Sequence, residues 1–170
     1  MTGTAAPLAA LAVALLLMLA EAQRSRANER VLRAAGATEP AGDVYGLMLW
    51  SYPGAFVAMA LAAAWMDVGR LSVAGAAVFL AAKALKYWAI STLGTRWTFR
   101  VLVPPESARV TTGPYRWISH PNYVAVAGEL AGFALLVHAG WIGLAATLWF
   151  VLLMWLRMKV EERALYSAQS

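Results

Sequence analysis

Residues 45–66, YGLMLWSYPGAFVAMALAAAWM, contain no charged side chain. An uncharged apolar run of this length is typical of a transmembrane helix, because about 20 residues of α-helix cross about 30 Å of hydrocarbon. Small residues, as in VAMALAAAW, would let neighbouring helices approach closely in lipid. The stretch therefore predicts a helix inside a membrane bundle.

The whole chain has the composition of a membrane protein. Of its 170 residues, 61% are hydrophobic and 14% are charged, and the mean hydropathy is +0.60. A soluble domain of this size could not bury so much apolar surface. We therefore predict an all-α integral membrane protein, a single domain over residues 1–170 with about five transmembrane helices. The apolar segments are, approximately, 7–22, 45–66, 71–93, 123–137 and 141–156.

The predicted domain has two parts. Residues 1–93 would form three N-terminal transmembrane helices, and residues 94–170 would form a polar loop, a helical hairpin and a tail helix. In the hairpin only HAG, residues 138–140, separates the last two apolar segments. The tail helix would continue out of the fifth segment.

Basic residues predict the orientation in the membrane. They follow the first, third and fifth segments, whereas the opposite side has only Arg70. By the positive-inside rule the N-terminus is outside, and the loop and the C-terminus are cytoplasmic. Ala20–Ala22 resembles a signal-peptide cleavage site, but no basic side chain precedes the apolar run, so we expect a retained anchor. The net charge of +5 then reflects topology and contact with membrane lipids, and no nucleic-acid partner is expected.

Several kinds of chemistry are excluded or disfavoured. The chain has no cysteine, which excludes disulfides, thiolate metal sites and cysteine nucleophiles. Its two histidines, His120 and His138, are far apart in sequence, so we expect no metal site. The chain also contains no Gly-x-Gly, and so lacks the glycine-rich dinucleotide fingerprint of soluble α/β folds.

The stretch 94–122, GTRWTFRVLVPPESARVTTGPYRWISHPN, is the candidate site. RWTFRVLV is β-like and PPESARVTTGP is rich in turn residues, and irregular backbone must lie in water or line a cavity. Pro121 suits the first turn of a helix that Ser119 or His120 would cap, leaving free N–H groups for an anionic ligand group. An interfacial loop anchored by its aromatic side chains explains the same pattern, and spacing alone leaves both interpretations open.

Three charged residues lie within apolar segments. Lys83 and Lys86 are near the end of the third segment, where we expect them to snorkel to the interface. Glu129 lies in the middle of the fourth segment and shares a helix face with Asn122 and Val126. It either looks into a pocket or forms an interhelical hydrogen bond as a protonated carboxyl, and the sequence leaves both open.

The tail, LRMKVEERALYSAQS, places Arg157 and Glu161 four residues apart on one helix face, where the simplest interpretation is an ion pair. Taken in order, GPYRWISHPNY, the hairpin and RMKVEERAL resemble the isoprenylcysteine carboxyl methyltransferase family of integral membrane enzymes. The phospholipid methyltransferases share a related C-terminal pattern. The likeness covers about residues 86–165. KYWAISTLGTRWTFRVLVPP resembles bacterial members, which makes a bacterial inner membrane the expected location, and NERVLRAAGA resembles the branch that methylates alkylpyrones.

The resemblance implies a methyltransferase that uses S-adenosyl-L-methionine and a lipophilic small-molecule acceptor, which would present a carboxylate or an enol oxygen. Arg157 matches an arginine assigned to substrate binding and catalysis, and Glu129 is added as a second candidate catalytic residue. The family usually reads Arg-His-Pro, whereas Ser119 stands in that arginine's place here, so a charge contact would have to come from Arg116. The positions matched to cofactor binding are Ala108, Arg109, Val110, Tyr115, His120, Pro121, Asn122, Tyr123, Glu161 and Glu162.

Methyl transfer from a sulfonium is an in-line displacement, and much of its acceleration can come from holding donor and acceptor in near-attack geometry. No acid–base pair is needed if the acceptor is already an anion, because an arginine that orients this anion would suffice. Two other functions fit the sequence: a membrane NADPH-dependent sterol-type reductase, whose final helices follow a loosely similar loop, and a non-catalytic lipid-binding protein. The pattern of Arg157, Glu161 and Glu162 favours the methyltransferase.

Overall fold

The computed structural model describes residues 4–105 and 110–167, with side chains described as far as residue 160. The all-α prediction is confirmed. Two short 3-10 turns, Gly94–Arg96 and Gly113–Arg116, lie between the third and fourth helices. The five helices are α1 (Ala5–Ala34), α2 (Tyr45–Trp65), α3 (Val73–Leu93), α4 (Pro121–Leu136) and α5 (Gly140–Ser167).

The helices differ in whether they are long enough to span a membrane. Four of them, α1, α2, α3 and α5, have the length and composition of a span. Helix α4 has 16 residues, about 24 Å at 1.5 Å per residue, which is shorter than the hydrocarbon core. The structure therefore has five helices, as predicted, and four of them, rather than about five, are candidate membrane spans among the described residues.

Helices α3 and α4 cross at glycines. A Cβ added to Gly75 would lie 2.2 Å from the backbone nitrogen of Leu136, and one added to Gly132 would lie 2.5 Å from that of Phe79. The Ser72 N–H also donates to the Leu136 carbonyl, at 2.9 Å. Close backbone approach through small residues is the usual way to pack helices where lipid offers no hydrophobic driving force.

Aromatic side chains fill the centre of the bundle. Phe56 of α2 and Phe133 of α4 are fully buried, with ring centroids 4.7 Å apart, and Phe79 of α3 lies 6.2 Å from Phe133. Helix α5 adds Leu153 and Phe150 to the same core. The core therefore sits among α2, α3, α4 and α5, and Ala14 in the first half of α1 also belongs to it.

Helix α1 docks through a mostly polar stripe. Its buried positions from the middle of the helix onward recur every three, four or seven residues, so they lie on one face. Three of the five carry polar or charged side chains, a composition unlike that of the aromatic core. They are Ala14, Glu21, Ser25, Asn28 and Leu32.

The connecting segments gather at two ends of the bundle. Segments 35–44, 94–105 and 110–120 meet at one end, called here the polar end, where Thr38 and Val103 form an antiparallel β-bridge with N···O distances of 3.1 and 2.9 Å. This isolated bridge is the only β-structure among the described residues. The β-like character predicted for RWTFRVLV is therefore limited to Val103, because no neighbouring strand pairs with the rest.

Candidate functional site

The first part of the candidate loop is fixed to α1. Asn28 donates from Nδ2 to the carbonyls of Gly94, at 3.1 Å, and of Trp97, at 2.7 Å. The Phe99 N–H donates to the Ser25 hydroxyl oxygen at 2.7 Å. These bonds add to the Trp97 N–H to Gly94 carbonyl bond of the 3-10 turn and satisfy backbone groups of a mostly irregular segment. The polar stripe of α1 therefore shapes the loop.

The second part of the loop is fixed to α3. Gly113 has φ +57°, and a Cβ at this position would lie 2.3 Å from the Thr92 hydroxyl oxygen. Only glycine combines this left-handed conformation with so close an approach. Pro114 is buried, and Trp117 packs against Trp88 with ring centroids 5.9 Å apart. The turn that carries Tyr115 is therefore held against the end of α3.

The start of α4 brings several predicted cofactor residues together. Pro121 is the first helical residue and His120 the cap position, but the His120 side chain makes no capping hydrogen bond. Its ring stacks on Tyr123, with centroids 5.4 Å apart and an interplanar angle of 14°. Asn122 accepts a hydrogen bond from the Trp97 indole at 3.3 Å. The predicted helix start is confirmed, but the predicted side-chain cap at His120 is wrong because this ring stacks instead.

A groove of about 440 Å³ lies between this helix start and α5. Small-molecule sites usually have volumes of about 300–1,000 Å³. Its lining is apolar except near the start of α4, and Val124, Val151 and Trp155 are each about half exposed. The groove therefore opens on the outer face of the bundle. The lining residues are Ile118, Ser119, His120, Tyr123, Val124, Ala127, Val151, Met154, Trp155 and Met158.

Arg157 is held at the polar end. Its side chain is 8% exposed, and Nη2 donates to the Phe99 carbonyl and lies 3.7 Å from Asp43 Oδ2. Nη1 makes a weak contact with Met48 Sδ at 3.8 Å. The simplest sequence interpretation paired Arg157 with Glu161, whose side chain lies outside the described residues.

Four buried charges form a compact cluster, called here the charge quartet. Lys83 Nζ lies 2.6 Å from Glu21 Oε1 and 3.0 Å from Glu129 Oε2. Lys86 Nζ lies 2.7 Å from Glu21 Oε2 and 3.4 Å from Glu129 Oε1. The lysines are only 5% and 2% exposed, so the predicted snorkelling is wrong. Ion pairs with two carboxylates inside the bundle stabilise the ammonium groups more than hydration at the membrane interface would.

Glu129 belongs to the quartet and not to the groove. It accepts a hydrogen bond from the Tyr52 hydroxyl, so the interhelical contact is present, but Glu129 is the acceptor and not the protonated donor that the sequence interpretation expected. The α4 residues Tyr123, Val124 and Ala127 face the groove, and Glu129 falls on the opposite side of the helix at 100° per residue. The pocket-facing interpretation is therefore not supported by the geometry.

The remaining predicted cofactor residues are only partly described. Val110 is half-buried on the way into the second 3-10 turn. Ala108 and Arg109 lie outside the described residues, as do the side chains of Glu161 and Glu162. The backbone of α5 runs through both glutamates to Ser167, which agrees with the predicted tail helix.

Several residues that shape this end of the bundle are not predictable from their sequence context. Glu21 interrupts an apolar run, a signal that was interpreted only as part of a cleavage-like motif. Ser25, Asn28 and Asp43 resemble ordinary polar residues next to a membrane segment, and nothing local marks their partners. Tyr52 likewise looks like one more aromatic residue in an apolar helix.

The isoprenylcysteine carboxyl methyltransferase (ICMT) family model matches residues 74–167, more than half of the chain. The chain belongs to this family. The ICMT match begins with α3 and ends with α5, so it includes the groove, Arg157 and three members of the quartet. Helices α1 and α2 precede it.

Two bacterial proteins are similar to the chain. The uncharacterised protein YpbQ of Bacillus subtilis strain 168 is 29% identical over 157 residues, which cover 91% of this chain and 94% of that protein. An uncharacterised protein of Haemophilus influenzae is 27% identical over 101 residues, 59% of each chain. No solved structure gives a significant match. Membership of the ICMT family supports a membrane methyltransferase and does not favour the reductase or the non-catalytic alternative.

Proposed function

We propose that this ICMT-family protein transfers a methyl group from S-adenosyl-L-methionine to a lipophilic acceptor taken from the membrane. The observation that carries the proposal is the groove, because it is apolar, opens on the outer face, and has His120 and Tyr123 at its polar end. A hydrocarbon chain could enter such a groove sideways from lipid, while a water-soluble cofactor approaches from the polar end. Arg157 lies between Met154 and Met158 on α5 but is not one of the groove's lining residues, because its guanidinium lies at the polar end next to the Phe99 carbonyl.

The described residues fit this cofactor. The stacked pair of His120 and Tyr123 offers an aromatic surface for an adenine ring. The first turn of α4 offers little to a carboxylate, because Pro121 has no N–H and the Tyr123 and Val124 N–H groups donate to the His120 carbonyl. Tyr115 lies in the turn just before them. When bound, S-adenosyl-L-methionine supplies an electrophilic methyl group on a sulfonium. This chain's part is to bind and orient both partners and to exclude water.

In this proposal Arg157 orients the oxygen that is methylated. A guanidinium presents a planar fork of donors that suits a carboxylate or an enolate oxygen. The buried position of Arg157 strengthens such a contact, because few water molecules compete for its donors. The acceptor class is therefore a long-chain or prenylated molecule with one anionic oxygen at its polar end.

We also propose that the polar end faces the cytoplasm of a bacterial cell. Apart from Arg70 and the two quartet lysines, the described basic residues lie on segments at or near this end, as the positive-inside rule requires. The chain has no native cysteine, so Gly69→Cys and Thr111→Cys can be labelled singly in intact cells. Thr111→Cys should resist an impermeant maleimide and Gly69→Cys should react. The reverse pattern would contradict the orientation.

The cofactor proposal is tested with S-adenosylhomocysteine in detergent. At a hundred times its dissociation constant, a ligand specific for the native state should stabilise the protein by about 2.7 kcal/mol, whereas NADPH should not stabilise it. His120→Ala should weaken affinity about tenfold through loss of the stacked pair. Trp141→Ala, an exposed aromatic residue at the other end, is the matched control and should bind normally.

Activity is tested with a labelled methyl donor and a membrane lipid extract, followed by mass spectrometry of the labelled product. The proposal is supported if a long-chain molecule becomes labelled and this labelling requires the intact protein. Stabilisation by NADPH, with no effect of S-adenosylhomocysteine, would favour the sterol-type reductase instead.

A further inference from the structure

Asp43 lies in the segment between α1 and α2, two residues before α2 begins, and its side chain is 5% exposed. Oδ2 accepts a long hydrogen bond from the Val101 N–H at 3.4 Å and lies 3.7 Å from Arg157 Nη2. The family match begins at residue 74, so the ICMT resemblance assigns no role to Asp43.

Arg157 needs a negative partner where it lies. A buried guanidinium without a compensating charge is strongly unfavourable, and the Phe99 carbonyl that it contacts is neutral. Among the described residues, Asp43 is the carboxylate within ion-pair distance of Arg157. The charge of Asp43 therefore helps to decide where the guanidinium rests.

The other carboxylate oxygen of Asp43, Oδ1, is buried and has no hydrogen-bond partner among the described residues, although leaving such an atom unpaired is costly. An amide of the same shape would serve the Val101 N–H equally well. What the carboxylate adds at this position is its negative charge, next to Arg157.

We propose that Asp43 is a positioning residue for methyl transfer. Its charge holds the Arg157 guanidinium against the Phe99 carbonyl, in the orientation that receives the acceptor's oxygen. This inference rests on the proposed function, and it adds that the segment before α2, outside the family match, completes the acceptor site. Displacement of an orienting group by about 1 Å can lower turnover about a hundredfold.

The test compares three variants, assayed with labelled S-adenosyl-L-methionine and the membrane lipid extract. Asp43→Asn keeps the shape and an oxygen for Val101 but removes the charge, so turnover should fall about 10- to 100-fold, while S-adenosylhomocysteine affinity stays unchanged. Asp43→Glu restores the charge and should recover part of the turnover. Glu39→Gln removes an acidic charge from the same segment and should have the turnover of the wild type. Normal turnover for Asp43→Asn, or equal losses for Asn and Glu, would overturn the proposal.

A second measurement needs no acceptor. A double-mutant cycle compares melting temperatures. Asp43→Asn should lower the melting temperature less than about half as much in an Arg157→Gln background as in the wild type, because the effects of substituting residues in contact are not additive. Additive losses would overturn the proposal at its first step. A wild type that binds no S-adenosylhomocysteine would instead refute the proposed function, and with it the positioning role, while a coupled cycle would still show that the two residues interact.

Discussion

Two interfaces of the bundle are built on opposite plans. Helices α3 and α4 meet through glycines, and an added Cβ at Gly75 or Gly132 would strike the backbone of the facing helix. Helix α1 instead docks through side chains that reach out, with Glu21 to the lysines of α3, and Ser25 and Asn28 to the loop. The first interface lies within the family match, and the second joins the match to the segment before it.

The difference shows what each interface tolerates. Both plans replace the hydrophobic driving force that lipid removes, the first by close packing and the second by polar contacts. The glycine interface should fail when atoms are added and the polar interface when charges or donors are removed. Four predictions test this contrast, from the largest expected effect to the smallest.

Removing one charge of the quartet should have the largest effect. Lys83→Met leaves two buried carboxylates facing one lysine, and breaking a buried pair costs about 3–5 kcal/mol. The double variant Glu21→Gln with Lys83→Met is again neutral and should recover part of this loss. Unfolding in detergent with increasing denaturant measures both.

The matched control for the quartet is Lys159→Met, since Lys159 is exposed on α5. It should change the free energy of unfolding by less than about 0.5 kcal/mol. A double variant that is less stable than Lys83→Met alone would show that net charge does not govern this interface.

Adding one methyl group at the glycine crossing should have the next effect. In Gly132→Ala the new Cβ would lie 2.5 Å from the Phe79 nitrogen, so the helices must separate, at a cost of about 1–3 kcal/mol. Gly54→Ala in α2 meets open space and should be neutral or stabilising by up to about 1 kcal/mol. Equal thermal stability of the two variants would contradict a close-packed crossing.

Removing one hydrogen-bond donor from the polar interface should lower the free energy of unfolding by a smaller amount. Asn28→Ala deprives the carbonyls of Gly94 and Trp97 of a hydrogen bond each, a loss of about 1–2 kcal/mol. Asn28→Asp keeps the size but cannot donate when ionised, and it should be at least as unstable as the alanine variant. An aspartate variant that matches the wild type would show that shape, and not donation, holds the loop.

The smallest effect concerns pH. Burial alone would raise the pKa of Glu39, but hydrogen bonds and charge interactions with Arg33 and Arg100 outweigh it and lower the pKa below its ordinary value of 4.5. A carboxylate whose pKa is lower in the folded than in the unfolded state stabilises the protein at pH values above the unfolded pKa. This stabilisation is lost as the pH falls through the folded pKa. We expect Glu39 to contribute at most about 1 kcal/mol to the free energy of unfolding in this way. The melting temperatures of the wild type and Glu39→Gln should differ at pH 7 and converge below pH 4.5, whereas a constant difference would contradict the shift.

The sequence was sufficient for the helices and for the start of α4. Long uncharged runs mark helices, and a proline after His120 marks a helix start, because both signals are local. The quartet was not predictable in this way. Lys83 and Glu21 are 62 residues apart, and Lys86 and Glu129 are 43 apart. Their meeting depends on how three helices, α1, α3 and α4, are rotated against one another, which no local pattern specifies.

The same reason explains the individual errors. Snorkelling was expected of Lys83 and Lys86 because that rule considers one helix in lipid, without buried partners on its neighbours. Asp43 gave no signal at all, since a polar residue before a membrane helix is ordinary. Its relevance appears only when α5 brings Arg157 to the same place.

The quartet also constrains how the chain enters the membrane during synthesis. Translation delivers one acid on α1, then both bases on α3, and the second acid on α4. Glu21 therefore reaches the bilayer before any countercharge exists, where an ionised carboxylate is expensive. Its buried countercharges arrive only when α3 emerges. A shortened chain that begins at α3 would bury two lysines with one glutamate, so the family-matched portion alone cannot be electrically balanced.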